Sequence, residues 1–160
     1  MLRARASTEW PRDEGMPADE GSAPLEFILV GLLLLTPIVY LIVALGAIQG
    51  QALGVETGAR QLARTIATSP DVVTADARAD RVRDAIVAEY GLDPATVAVT
   101  VDCAHTTTTC PAAGAILTVT VRAEATLPLV PTILGLEKIA RVPVESTSVQ
   151  KVSRLWGITP

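Results

Sequence analysis

The residues with reactive side chains are few, and the most suggestive of them fall in one short stretch, DCAHTTTTCP. Cys103 and Cys110 stand there with six residues between them, around His105, the single histidine of the chain. Two cysteines closing a short loop suit a disulfide in an oxidising, exported compartment; in a cytosolic domain the same pair would be two thiols. By loop entropy such a closure contributes about 2–3 kcal/mol. Asp102, Cys103 and His105 have the residue types of a nucleophile with its base, but a disulfide removes the thiol. Zinc would need His or Cys ligands that this pairing consumes, so no metal site is expected. Thr106 to Thr109 are hydroxyls open to glycosylation in a secreted domain, or plain surface-loop residues. No glycine-rich loop follows a strand to cradle phosphates, and no cofactor is expected. The chain reads as a protein that is not an enzyme.

A second chemical feature sits near the start. Glu26 stands at the border of Phe27–Ile48, FILVGLLLLTPIVYLIVALGAI, 22 residues without a charge. A helix of that length rises about 33 Å, which matches a hydrocarbon core of roughly 30 Å. The run is too long for the apolar region of a secretory signal, although Ala44-Leu45-Gly46 before Ala47 has the small residues of a cleavage site. A retained transmembrane helix in the lipid bilayer is the better reading. An ionisable side chain at that border needs a partner. A free α-amine one turn away would supply it; otherwise the carboxylate snorkels to water. The first-turn helix dipole favours the anion in either case. Pro37, preceded by Thr36, falls in the middle of the span, where a kink is expected.

Composition bounds the rest. The chain has 160 residues, 49% of them hydrophobic and 3% aromatic, with a net charge of −4. That balance excludes a disordered chain, and with no densely basic window it gives no ground for nucleic-acid binding. A single span encloses no pathway, so a channel or transporter acting alone is excluded. Residues 1–21 are polar, without apolar periodicity, and are expected to be a disordered leader. Arg3, Arg5 and Arg12 precede the span while Arg60 and Arg64 follow it, which favours a cytoplasmic N-terminus.

The elements that position these residues can be read from periodicity. Val55, Ala59, Leu62 and Ile66 continue a helical face beyond the span, until Ser69-Pro70 stops it. One helix is thus predicted from about Pro24 to Ala67. A second, from about Ala75 to Tyr90, turns Ala79, Val82, Ile86 and Tyr90 inward and ends at Gly91. The period then changes to two. Strands are predicted at Val97–Cys103, at Leu117–Ala125 and, after a Pro/Gly-broken connection, over Ile139–Val152. The fold class is α+β: a long N-terminal helix, transmembrane in its first half, with a packing helix and a small antiparallel sheet. The expected domains are a leader (1–21), a transmembrane and extended assembly helix (22–67) and an exported head (68–160).

Gly46, Gly50, Gly54 and Gly58 recur every four residues along the first helix. Each weakens a helix by about 1 kcal/mol relative to Ala, so the repetition calls for a compensating role. Small residues at this spacing let another helix backbone approach closely. The alternative is a soft segment in which the helix bends or melts.

Gly21-Ser22-Ala23-Pro24-Leu25-Glu26-Phe27 resembles the processing signature of type IV pilin-like proteins: a Gly, four residues, then Glu-Phe opening an apolar run. The stretch from Glu20 through GARQLARTIA to Ala67 resembles TadE-like pilus assembly proteins, minor pseudopilins of tight-adherence (Flp-type) pilus systems. The later Cys pair followed by Pro, Gly and the strand AILTVTVRAEATLPLV is similar to actinobacterial members. The resemblance implies a type IV pilin-like fold, cleavage by a prepilin peptidase between Gly21 and Ser22, and an N-in single-pass topology with the C-terminal domain exported. It also implies a role in pilus assembly, with other pseudopilins or the major pilin and the inner-membrane assembly platform as partners. Glu26 and Phe27 then serve assembly, Glu26 by pairing with an N-terminal amine. A rival reading is a single-pass exported binding or envelope-structural domain unrelated to pili. A further rival is a membrane-tethered hydrolase that depends on His105.

Overall fold

The computed structural model describes residues 23–104, 110–130 and 140–157. Helix α1 runs over Ala23–Thr68, with Pro24 in its first turn, where a missing N–H is harmless. It continues through Pro37 without a break. The Thr36 hydroxyl donates to the Leu32 carbonyl at 2.7 Å, one residue before the proline. At the far end the Thr68 and Ser69 hydroxyls donate to the carbonyls of Arg64 and Thr65, at 2.8 Å each.

Helix α2 spans Val72–Tyr90 and begins three residues before the expected Ala75. Asp71 accounts for the difference. It is an N-cap in extended conformation, accepting from the Thr74 N–H at 2.8 Å and the Thr74 hydroxyl at 2.9 Å. The Thr74 N–H, and then its hydroxyl, hold the Asp71 carboxyl below its ordinary value. Gly91, at φ 61°, ends the helix, its N–H donating to the Val87 carbonyl.

The sheet is antiparallel, in the order β1-β2-β3, with β1 at Ala98–Ala104, β2 at Ile116–Thr126 and β3 at Arg141–Lys151. The expected start of the third strand at Ile139 lies outside the described residues. Strand β2 alternates strictly. Leu117, Val119, Val121, Ala123 and Ala125 are buried, while Thr118, Thr120, Arg122, Glu124 and Thr126 lie on the other face. That outer face carries cross-strand polar pairs. Arg122 makes a bidentate pair with Glu145 at 2.8 and 3.2 Å, and Arg141 reaches Glu124 at 2.8 Å. Hydrogen bonding from Arg122 holds the Glu145 carboxyl below its usual value and raises the guanidinium in return.

The core joins Leu117, Val119, Val121 and Ala123 of β2 to Val55, Ala59, Leu62, Ala63, Ile66 and Ala67 of α1 and to Ala75 and Ile86 of α2. By internal contacts the chain divides between Val39 and Tyr40. The unit that carries the sheet therefore begins within α1, because the second half of the helix supplies core. The C-terminal segment belongs to the same core: Val152 is buried, and Trp156 is 9% exposed. Its backbone secures the end of α1, with the Ser153 N–H on the Ala67 carbonyl at 3.2 Å and the Gly157 N–H on the Pro70 carbonyl at 2.8 Å. The architecture is α+β, with a long N-terminal helix, a packing helix and a three-stranded antiparallel sheet, as the sequence led one to expect.

Candidate assembly helix and disulfide-clipped head

From Leu25 to Leu45 the large apolar side chains of α1 are exposed, Phe27 at 80% and Leu33 at 72%. A surface helix in water keeps one polar face; here apolar residues point in every direction. The helix is long and apolar enough to cross a membrane, with a mean hydropathy of 2.8 over its most apolar window. Glu26 lies exposed in its first turn, beside Phe27. Gly21 and Ser22, the expected processing site, fall outside the described residues.

The glycine row splits in two. A Cβ placed on Gly54 would lie 2.5 Å from Cγ and 2.7 Å from Cβ of Tyr90; one on Gly58 would lie 3.1 Å from Cδ1 of Ile86. These glycines admit α2 of the same chain. The pairing is antiparallel, so a four-residue step along α1 meets a four-residue step back along α2. At Gly46 and Gly50 an added Cβ meets nothing within 4 Å. At Gly54 and Gly58 the neighbouring helix is thus α2 of the same chain. Only Gly46 and Gly50 remain open.

A contact that periodicity does not announce ties α1 to the sheet. The Gln51 side-chain carbonyl accepts the Thr126 N–H at 3.0 Å, and its amide donates to the Thr126 carbonyl at 3.4 Å. One primary amide thus replaces a neighbouring peptide where β1 no longer flanks β2. Thr96 serves the same end two residues earlier, its hydroxyl accepting the Glu124 N–H at 3.3 Å. A glutamine on an otherwise apolar helical face is the only sequence signal for the first of these contacts.

Cys103 and Cys110 form a disulfide, with S–S at 2.05 Å and Cα atoms 5.6 Å apart. Both half-cystines pack against the core. Cys103 sits in β1 opposite Leu117, so the bridge ties Cys110 to the β1–β2 end of the sheet. The peptide after Cys110 is cis, to Pro111. His105 and Thr106–Thr109 lie outside the described residues. Among the described residues, no group of three His, Cys, Asp or Glu side chains forms that could hold a metal ion.

Set against family models, curated proteins and solved structures, the chain gives no match.

Proposed function

We propose that the chain is a membrane-anchored, pseudopilin-like subunit that takes part in pilus assembly by helix–helix packing. The observation that carries the reading is one continuous helix whose first half exposes apolar residues all round and whose second half is core of the head. Such a helix holds the head at the bilayer and can pass between lipid and a bundle of like helices, since both surroundings are apolar. Glu26 is then the aligning group, paired with the N-terminal amine of its own or a neighbouring subunit once cleavage after Gly21 has freed Ser22. Gly46 and Gly50 are the positions at which a second helix approaches most closely. The disulfide suits a head exported from an N-in topology. The partners on this reading are a prepilin peptidase, other pseudopilins or the major pilin, and the membrane assembly platform.

The test is the intact mass of the membrane-extracted protein from cells with and without the prepilin peptidase. A peptidase-dependent species beginning at Ser22 is expected. A chain that keeps residues 1–21 in both strains would leave a plain single-pass anchor for an exported domain, and a start near Ala47 would mean a cleaved signal sequence.

A further inference from the structure

Strand β1 is an edge of the sheet, and a groove of about 390 Å³ runs beside it, between β1 and α2. Leu62 and Ile66 of α1 form its floor, Val99 and Val101 one wall, and Asp76 and Asp80 of α2 the opposite rim. The direction of the backbone along this wall follows from the bonds of β2. Glu124 and Thr126 turn their N–H groups toward the β1 side, whereas Leu127 bonds to Ala140 on the β3 side. Even-numbered residues of β2 therefore pair with β1, and the ladder places Ala98, Thr100, Asp102 and Ala104 opposite them. The N–H and C=O groups of Val99, Val101 and Cys103 consequently point to the open edge, and among the described residues no strand takes them up.

We propose that this groove binds an extended peptide segment of a partner protein, added as a fourth strand on β1 and carrying Lys or Arg at alternate positions. Main-chain bonds to Val99 and Val101 give the affinity that strand addition supplies elsewhere, with side-chain pockets giving specificity. The charge and spacing of the rim select the cations. Asp76 and Asp80 are exposed, and among the described residues neither is in an ion pair. Arg83, which also lines the groove, is held by the Pro94 carbonyl at 3.2 Å and lies 3.8 Å from Asp84. One turn of helix separates the two acids by about 6 Å, and alternate residues of a strand are about 6.6 Å apart. A Lys or Arg at every second position thus lays its aliphatic stem along the half-buried Ala79, Val99 and Val101 and brings its charge to one carboxylate each. This site does not depend on how the apolar half of α1 is used.

The test uses the full chain in neutral detergent micelles, with acetyl-Lys-Thr-Lys-Thr-Lys-amide as probe and its isomer acetyl-Lys-Lys-Thr-Thr-Lys-amide, which has no two lysines at alternate positions, as control. The alternating peptide is expected to bind saturably, more tightly than the isomer, and to slow amide exchange at Val99 and Val101. Asp76→Asn combined with Asp80→Asn should weaken binding about fivefold, each exposed ion pair contributing a factor of two to three. Val101→Pro, which removes an edge donor while leaving the bonds to β2, should abolish it. Should that variant fail to fold, the two exposed aspartates carry the test alone. Absence of saturable binding, equal binding of the two peptides, or an affinity indifferent to the aspartates would overturn the proposal. So would protection of Val99 and Val101 that grows with protein concentration without peptide, since a second copy would then fill the groove.

Discussion

The split glycine row makes a prediction whose sign changes along a single helix. At Gly54 a methyl group would sit 2.5 Å from Cγ and 2.7 Å from Cβ of Tyr90. Those atoms lie close to the α2 backbone, so no rotation of the tyrosine removes the clash and α2 itself must move. Overpacking of this kind costs about 1–3 kcal/mol, against roughly 1 kcal/mol gained in helix propensity. Gly54→Ala should therefore destabilise the head by about 1 kcal/mol. At Gly58 the nearest atom is the tip of Ile86, 3.1 Å away, which can swing aside, and Gly58→Ala should fall near zero. Gly50→Ala meets nothing within 4 Å and should leave stability unchanged or raise it by up to about 1 kcal/mol. Urea unfolding in mild detergent, followed by the fluorescence of the buried Trp156, reads the series. The order Gly50→Ala, Gly58→Ala, Gly54→Ala from most to least stable is expected, and Tyr90→Gly, which removes both clashing atoms, should absorb most of the Gly54→Ala penalty in a double-mutant cycle. A Gly54→Ala protein as stable as Gly50→Ala would refute the close helix pair.

Three other outcomes follow from the same contacts. Replacing Cys103 and Cys110 together by Ser should lower stability by about 2–3 kcal/mol, and dithiothreitol should reproduce the loss in the parent chain while leaving the Ser variant unmoved. Gln51→Ala leaves the Thr126 N–H and carbonyl without their amide partner and should cost about 1–3 kcal/mol, with faster amide exchange at Thr126; Gln51→Glu should restore the acceptor and not the donor. Acid should weaken the fold in part through Asp71 and Glu145, whose folded-state carboxyls lie below their ordinary values of 3.8 and 4.5. Their stabilisation is present above those values and is lost as pH falls through the lower folded ones. Glu145→Gln should flatten that part of the urea-midpoint profile below about pH 5, and an unchanged slope would mean that the Arg122 pair contributes nothing.

The elements were legible wherever one pattern dominated. Val55, Ala59, Leu62 and Ile66 announced their face by helical spacing, and all four are buried. The alternation from Leu117 to Ala125 gave the central strand, because a period of two leaves one face for the core. The start of α2 was missed by three residues because an Asp N-cap whose carboxylate takes the N–H three residues on carries no apolar signal. Trp156 also escaped notice: a lone aromatic after the last strand has no period, and its burial depends on backbone bonds to Ala67 and Pro70.

By itself, the sequence determined the long apolar helix, the secondary elements and the cysteine pair, since hydropathy, periodicity and loop length are properties of neighbouring residues. Which surfaces those elements turn to each other depends on how they pack. The four glycines look alike in sequence, yet two receive α2 and two stay open, because α2 returns antiparallel only as far as Tyr90. Gln51 finds Thr126 across 75 residues, and Asp76 and Asp80 come to rim an open strand edge. Contacts between residues so far apart in the chain arise when the core closes, and no local pattern encodes them.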